Sequence, residues 1–369
     1  MSDPSVGFFW DERCFWHSGG NYALTAPVGG LVQPLAAGGL PESPETKRRL
    51  KNLMNVTGLS GELTYSSAPP ATREDLLRGQ PPHYLDKFAE LSAASGGELG
   101  ERTPFGPGGY DIAALSAGLA TEAIREVLAG RLRRAYALSR PPGHHCLPDR
   151  PMGFCLLANI AIGLEAARAA GLVRRIAVVD WDVHHGNGTE AIYRDDPDVL
   201  TISLHQEGNY PWATGAFDPS EIGNVNLPLP PGAGHDTYIY TMDNVVVPAL
   251  ERFAPDLIVV ACGYDASGVD PLARMLAGSD TFARMTAQMM AAADALCDGR
   301  LVLVHEGGYS EVHVPFCGHA VLQTLAGSDV TATDPLAPRK AAHQPHAALR
   351  NDNRGEKGGN RGDLQERKP

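Results

Sequence analysis

Residues 176–188 read IAVVDWDVHHGNG, and this stretch decides the fold because an apolar run leads directly into polar, chemically reactive side chains. The run Arg175–Trp181 (RIAVVDW) is rich in β-branched residues and too uniformly apolar to have one face in water. Strands that are buried on both faces belong to parallel sheets covered by helices. We therefore predict a buried parallel strand that ends at the polar residues.

Similar runs occur elsewhere in the chain and alternate with segments of helical periodicity. This alternation is typical of βαβ units. It predicts an α/β fold with three layers, α/β/α, in which a mostly parallel central sheet has helices on both faces. The predicted strands are Arg175–Trp181, Val199–His205, Asp256–Cys262, Arg300–Glu306 and the short Ala135–Leu138, and the predicted helices are Asp111–Ala129, Leu157–Ala170, His235–Phe253 and Thr281–Leu296.

Composition excludes several classes of protein. The 369 residues carry 43 acidic and 31 basic side chains, a net charge of −12, and an acidic chain repels phosphate backbones. No apolar run approaches the roughly 18 residues of a membrane span, and the first residues lack the basic start of a secretory signal. The six cysteines form no C-x-x-C pair, which favours reduced thiols. We expect a cytoplasmic chain with no nucleic-acid or membrane partner.

Two segments depart from the α/β pattern. Residues 17–44 are rich in Gly and Pro and have no clear period, which predicts a long loop over the body. From 333 to 369 apolar content collapses, which predicts a polar, disordered tail. No internal repeat divides the remainder, and we predict a single domain over 1–330.

The predicted strands end in residues that can carry chemistry. Ligands of open parallel sheets bind at the carboxyl ends of the strands. Asp180, Asp182 and His184 are spaced i, i+2 and i+4, so they project from the same face while the chain stays extended. The other strand ends supply Asp265, the turn Gly307-Gly308-Tyr309, and the pair His144-His145 after Pro141-Pro142.

An imidazole and two carboxylates that converge at a sheet edge form a mixed nitrogen and oxygen donor set. Such a set fits a catalytic zinc ion better than a structural one, because closed structural sites are rich in thiolates. Zinc with an open position lowers the pKa of water toward about 7 and polarises a carbonyl group. A tandem histidine would supply a general base and a tyrosine an oxyanion donor. The set predicts metal-assisted hydrolysis of an amide.

Several motifs resemble the histone deacetylase family, most closely its class II and bacterial amidohydrolase branch. They are PPGHH, GFC, DWDVHHGNGT, ISLH, GYDAS with DPLARM, and EGGYS, in the family's order and spacing between Gly7 and Gly327. The resemblance implies an arginase/deacetylase-like fold, one catalytic domain and one zinc ion per chain. It also implies cleavage of an acyl amide, N-acetyl or a similar small N-alkyl amide.

The resemblance implies roles for particular residues. The zinc ligands would be Asp182, His184 and Asp265, and Tyr309 would donate to the developing oxyanion.

The family pairs each tandem histidine with a polar partner, matched here by Asp180 for His144 and by Asn187 for His145. A neutral partner does not raise the imidazole pKa as a carboxylate does. His145 is therefore predicted to be the general base and later the proton donor to the amine, with His144 as electrostatic support.

Two further groups of residues follow from the resemblance. One binds monovalent cations, usually potassium, through carboxylate and carbonyl oxygens. The other forms a narrow tunnel for an extended acyl-amine, in which Tyr210 stands where many relatives carry Phe. The potassium residues are Asp180, Asp182, His184, Ser203 and Leu204 in one site and Tyr193, Asp196 and Val199 in a second. The tunnel residues are Gly153, Phe154, Tyr210, Leu272 and Gly308, and Arg48 matches an arginine that gates an internal exit channel.

Other functions stay open at this point. An arginase-like site with two manganese ions needs bridging carboxylates, but Gly186 and Ser267 stand two places after His184 and Asp265, so the second ion would lack ligands. A non-catalytic acyl-amine binding module is the alternative from another class.

The substrate is not decided by the sequence. Acetyl-lysine on proteins, acetylated polyamines and small neutral amides, xenobiotics included, all fit. The acidic composition suits cationic substrates, whereas a loop at 17–44 that narrows the entrance favours small molecules. A small-molecule amidohydrolase is the leading interpretation, and a homo-oligomer stays open. Trp181 and Trp212 are expected to be core and loop-packing aromatics.

Overall fold

An eight-stranded sheet forms the centre of the chain in this computed structural model, which describes residues 6–33, 39–218, 223–337 and Gln344. Its strands are β1 (Val6–Phe9), β4 (Thr64–Ser66), β7 (Arg134–Ala137), β8 (Ile176–Asp180), β9 (Val199–Gln206), β10 (Asn224–Leu229), β11 (Leu257–Cys262) and β12 (Leu301–His305). Every neighbouring pair in the sheet is parallel, and the order is β10-β9-β8-β11-β12-β7-β1-β4. Two short antiparallel pairs lie outside it, β2 (Tyr22–Ala23) with β3 (Ala26–Pro27) and β5 (Gly97–Glu98) with β6 (Pro104–Phe105).

Helices cover both faces of the sheet. Successive residues of β8 alternate between two cores: Ala177 and Val179 belong to one, Ile176 and Val178 to the other. The predicted three-layer α/β/α fold is therefore confirmed. The helices are α1 (Glu45–Thr57), α2 (Arg73–Gly79), α3 (Pro82–Ala93), α4 (Gly109–Leu128), α5 (Asn159–Ala169), α6 (Asn187–Tyr193), α7 (His235–Thr241), α8 (Val247–Phe253), α9 (Ser279–Leu296) and α10 (Val314–Ala326).

The strands predicted from apolar runs are all present, within two residues at each end. The predicted helix His235–Phe253 is interrupted, since a π-helical turn at Met242–Val246 joins α7 to α8. Strands β1, β4 and β10 and helices α1, α2, α3, α6 and α10 were not predicted. None of the described helices is both long enough and apolar enough to cross a membrane.

Within the segment 17–44, β2 and β3 pair as an antiparallel hairpin. The Tyr22 hydroxyl donates a hydrogen bond of 2.6 Å to Glu98 Oε1, which fastens this hairpin to the body. Residues 34–38 of the predicted loop lie outside the described residues.

Most of the predicted tail, 338–343 and 345–369, also lies outside the described residues. Asp334, by contrast, is buried and accepts hydrogen bonds from Ser279 (2.8 Å) and His313 (2.9 Å). Gln344 accepts from the backbone of His235 and donates to the backbone of Leu276, both at 2.8 Å. These two side chains pack on the body, which differs from the expectation that the polar tail begins at 333.

Candidate active site

Four adjacent strands bring the reactive residues together. In the sheet order β8-β11-β12-β7, the carboxyl ends lie side by side at one edge. The loop after β8 carries the Asp-x-His sequence, and the loops after β11, β12 and β7 carry the other polar groups. Parallel strand pairing thus brings motifs that are far apart in the chain together in one cluster.

Asp182, His184 and Asp265 form a compact donor set. His184 Nδ1 lies 3.0 Å from Asp182 Oδ1 and 3.0 Å from Asp265 Oδ2, and one ligand atom from each residue lies within 4.8 Å of the others. The second oxygen of each carboxylate is held by a backbone amide: Gly307 N donates to Asp182 Oδ2, and Val183 N to Asp265 Oδ1, both at 2.8 Å. These amides orient the other oxygen of each carboxylate toward one centre, as outer hydrogen bonds do at metal sites.

Two glycines leave room for the carboxylates. A Cβ on Gly263 would lie 2.2 Å from Asp182 Oδ2, and one on Gly307 would lie 2.5 Å from Asp265 Oδ2. Any side chain at these positions would displace the donor set. The set of one imidazole and two carboxylates fits a catalytic zinc ion, because three protein ligands leave a further position open.

The electrostatics of this cluster favour bound positive charge. Burial alone would lower the pKa of His184, but its hydrogen bonds to Asp182 and Asp265 outweigh burial and raise the pKa to about 10. Burial and the charge of Asp182 raise the pKa of Asp265 to about 6. Carboxylates that hold a proton on an imidazole this strongly would also attract a divalent cation.

The tandem histidines have different partners. His144 Nδ1 donates to Asp180 Oδ2 at 2.9 Å, while His145 Nδ1 donates to Asn187 Oδ1 at 2.8 Å. Burial opposes the charged form of His144, but Asp182 and Asp180 outweigh it and raise the pKa to about 10. Burial and the neighbouring imidazoles hold the pKa of His145 well below its usual value. The structure therefore combines a cationic and a neutral imidazole whose ring centroids are 3.9 Å apart.

Tyr309 faces the same centre. An ideal Cβ on Gly307 would lie 2.9 Å from its hydroxyl oxygen, so the hydroxyl is close to the carboxylates. Burial and these carboxylates raise the pKa of Tyr309 well above its usual value, so the hydroxyl keeps its proton and can donate it. Tyr309 N donates to Asp270 Oδ2 at 2.8 Å, which fixes the backbone beneath the ring.

Two positioning carboxylates were missed in the sequence. Glu306 Oε2 accepts hydrogen bonds from Gly143 N (2.7 Å) and His144 N (3.1 Å), so it holds the loop that carries the tandem histidines. Asp270 holds Tyr309 and also accepts from Leu272 N at 2.9 Å. Glu306 belongs to the motif EGGYS and Asp270 to the motif DPLARM. Only the structure shows which loop each carboxylate faces.

A cavity of about 130 Å³ opens above the site. Of the predicted tunnel residues, Gly308 is buried beside Tyr264 and does not line it. The expectation for Trp212 is wrong, since this ring is 67% exposed and lies on the cavity wall, whereas Trp181 is in the core as expected. The lining residues are Thr25, Arg102, His145, Gly153, Phe154, His184, Asn209, Tyr210, Trp212, Leu272 and Tyr309.

Arg48 does not lie in an internal channel, which contradicts the expectation for it. Its side chain is one-third exposed and pairs with Glu45 on the surface of α1. The buried basic groups behind the site are instead Arg140 and Lys47, which bond to Glu42 Oε1 at 3.0 and 3.3 Å. Arg140 and Glu42 border a second cavity of about 440 Å³, and Tyr309 lines both this cavity and the first.

The predicted potassium residues occupy two places. Asp180 and Ser203 are register partners on β8 and β9, and the rest of the first set adjoins them. In the second set, Asp196 has both carboxylate oxygens engaged, by Arg168 at 2.6 Å and by Asp198 N at 2.9 Å. The remaining predicted residues are Asp182, His184 and Leu204 beside the first pair, and Tyr193 and Val199 in the turn that contains Asp196.

Nearly the whole chain is similar to known proteins in sequence and in fold. The family model for the histone deacetylase domain matches residues 40–325. The chain is 58% identical to a histone deacetylase-like amidohydrolase of Pseudomonas aeruginosa, over 94% of this chain and 92% of that protein. It is 34% identical to histone deacetylase 8 of Arabidopsis thaliana, over 91% and 92%. The crystal structure of the HDA15 HD domain superposes with a TM-score of 0.77 at 31% identity, over 92% of this chain and 93% of that one.

Proposed function

The chain belongs to the histone deacetylase family and is a hydrolase of amide bonds, and from this premise we propose that it is a zinc-dependent amidohydrolase that removes a small acyl group from an amine. One observation carries the proposal. The ligand atoms of Asp182, His184 and Asp265 converge within 4.8 Å, and the cavity that His184 lines is also lined by a base, His145, and a donor, Tyr309.

Asp182, His184 and Asp265 would hold the zinc ion. When bound, zinc supplies Lewis-acid chemistry, in that it acidifies water and polarises the amide carbonyl.

The chain's own residues move the protons. Asn187 Oδ1 fixes the proton of His145 on Nδ1, so Nε2 accepts a proton from water and later delivers it to the departing amine. Tyr309 donates its hydroxyl hydrogen to the carbonyl oxygen as negative charge develops there. His144, held cationic beside Asp180, stabilises that charge without taking part in the transfer.

The cavity favours a small acyl group on an extended amine. Phe154 and Tyr210 supply aromatic walls, and Gly153 lies between His145 and Tyr210, where a Cβ would contact both rings. Residue Thr25 brings the segment 17–44 into the lining of the cavity, which supports a small-molecule amide as the substrate. Acetyl-lysine in a protein and an acetylated polyamine are the alternatives. A monovalent cation at the first predicted site, beside Asp180 and Ser203, belongs to the same proposal.

Turnover by the purified protein tests the proposal. Release of carboxylate and amine is measured for an acetyl-lysine peptide, acetylputrescine and simple N-alkyl acetamides, with and without a chelator. We expect chelator-sensitive turnover, fastest with the simple amides. Failure on all three substrates with one zinc bound per chain would instead identify a non-catalytic acyl-amine binding module.

A further inference from the structure

Arg102 lines the tunnel cavity, and its side chain is partly exposed to solvent. Among the described residues that line this cavity, Arg102 is the only one with a charged side chain apart from the histidines of the site. Its guanidinium carbon lies 5.0 Å from the centroid of the Tyr210 ring, and the side chain is 28% exposed. The guanidinium thus stacks on the tunnel wall and keeps an edge toward solvent.

The backbone holds Arg102 in a strained conformation. Its φ is +57°, a region that non-glycine residues rarely adopt. The carbonyl of Arg102 accepts a hydrogen bond from Phe154 N (3.0 Å), and the carbonyl of Glu101 accepts one from Gly153 N (2.9 Å). Arg102 is therefore tied directly to the loop that forms the tunnel wall.

This strain is concentrated around the cavity. Six non-glycine residues in the described part of the chain have positive φ, and four of them line the cavity or adjoin a residue that does. Strain of this kind persists where the surrounding structure fixes a functional geometry. The four are Leu24, Arg102, Phe154 and Ala213.

The nearby carboxylates do not pair with every guanidinium nitrogen of Arg102. Glu101 Oε1 lies 3.3 Å from Arg102 Nη1, but the Glu101 side chain is 53% exposed, and ion pairs of such exposure are weak. Glu98 is engaged elsewhere, since its Oε1 accepts from the Tyr22 hydroxyl (2.6 Å) and Thr103 N (3.0 Å). Among the described residues the other guanidinium nitrogens of Arg102 have no carboxylate partner, so they can bind one from solution.

We propose that Arg102 determines substrate specificity by binding a carboxylate at the far end of the amine, so that the enzyme prefers acyl amides whose amine portion is an acid. This inference rests on the proposed amide hydrolysis. A guanidinium presents paired N–H groups that match a carboxylate. The net charge of the chain does not oppose this preference, because exposed charges beyond roughly 10 Å are screened at physiological salt.

Matched substrates test the inference. The enzyme is assayed by acetate release on 6-acetamidohexanoate, its primary amide 6-acetamidohexanamide, and N-acetyl-1,6-diaminohexane, which differ in the charge of the far end. Shorter and longer members of the acid and amide series, from four to eight carbons, locate the best length. We expect kcat/KM for the best acid to exceed that of its amide roughly tenfold, as a charge-assisted hydrogen bond provides. The amine should be the poorest of the three.

Substitutions assign the preference to the guanidinium. Arg102→Asn removes the charge and introduces a residue that tolerates positive φ. In this variant the ratio of kcat/KM for the acid to kcat/KM for its amide should fall to within about twofold of unity. Arg102→Lys should keep part of the preference for the acid. Arg174→Asn, at an exposed arginine paired with Asp198, is the control and should keep the wild-type ratio. Equal rates on acid and amide in the wild type, or an unchanged ratio in Arg102→Asn, would refute the inference.

A binding measurement separates this inference from the proposed function. Absence of turnover on all three compounds would overturn the proposed hydrolysis but not the role of Arg102. In that case the role of Arg102 is tested by calorimetry, which measures the Kd of the acid and of its amide for the zinc-loaded protein. The inference requires that the wild type binds the acid more tightly than the amide and that Arg102→Asn binds the two equally.

Discussion

His145 Nδ1 lies 2.8 Å from Asn187 Oδ1, and this contact determines which ring nitrogen of His145 can take up a proton. The amide nitrogen of Asn187 faces Met152 Sδ at 3.3 Å, so its oxygen is the atom that faces the ring. An amide oxygen only accepts hydrogen bonds, so Nδ1 carries the hydrogen and Nε2 keeps its lone pair. His145 is thereby prepared to act as a base.

Asn187→Asp should weaken this base at low pH. A carboxylate 2.8 Å from Nδ1 would favour the imidazolium and raise the pKa of His145. Because His145 acts in its neutral form, activity is lost as pH falls through that pKa. The acidic limb of the kcat/KM profile should therefore move to higher pH, by roughly one to two units.

The matched control is Asn244→Asp on the exposed surface of the π-helical turn, where the new charge is remote from His145. It should leave the profile in place. An acidic limb that stays the same in Asn187→Asp would show that His145 is not the titrating base.

Asp265→Asn should release the metal. The amide oxygen can still accept from Val183 N, so the loop keeps its hydrogen bond while the charge is lost. Changes in the outer shell of a metal site typically weaken metal binding by roughly 10- to 100-fold. Loss of an anionic ligand should weaken zinc binding more, by about 100-fold or more. Zinc content at fixed free zinc, together with acetate release, measures the effect. Asp294→Asn, at a surface carboxylate that pairs with Arg134, is the control, and full zinc occupancy in Asp265→Asn would disprove the ligand assignment.

The central sheet was predictable because its strands are buried on both faces. Runs such as β11, LIVVAC, have no polar position, so they differ from the helical and loop segments between them. The edge strand β10 reads NVNLPL, and its Asn and Pro residues hide it from a hydrophobicity pattern. Strand β1 has only four residues, and its pairing with β4 and β7 is a property of the whole sheet.

The reactive residues were predictable because they follow these same strands. Residues that act through contacts between loops were not predictable from the sequence. Asp270 contacts Tyr309, and Arg102 contacts Tyr210, only after the loops have packed. Arg48 was misassigned for a similar reason. The basic side chains of α1 are adjacent in sequence, and only the helix phase buries Lys47 while it leaves Arg48 at the surface.

Tyr309→Phe should lower kcat while zinc stays bound. The change removes one hydroxyl and leaves the ring against Phe154, with centroids 5.7 Å apart. Loss of an oxyanion donor costs roughly 10²-fold or more in kcat. Steady-state kinetics and zinc analysis measure both quantities. Tyr65→Phe, which removes a remote hydroxyl bonded to Ser60, is the matched control, and an unchanged kcat in Tyr309→Phe would exclude the hydroxyl from the reaction.

Gly153→Ala should displace the base. Gly153 has φ +54°, and an added Cβ would lie 2.5 Å from His145 Cδ2 and 2.9 Å from Tyr210 Cε1. Both rings must shift, and a misplacement of this size costs on the order of 10²-fold in kcat/KM. The zinc ligands are on other loops, so metal content should remain at one per chain.

Gly171→Ala separates the contact from the backbone strain. Gly171 has φ +68°, and a Cβ there would have nothing within 4 Å. Both variants therefore carry the left-handed penalty of about 1 to 2 kcal/mol in the free energy of unfolding, measurable by urea denaturation. Only Gly153→Ala adds the contact with His145, so it alone should lose turnover. Equal activity in the two folded variants would show that the tunnel wall does not position the base.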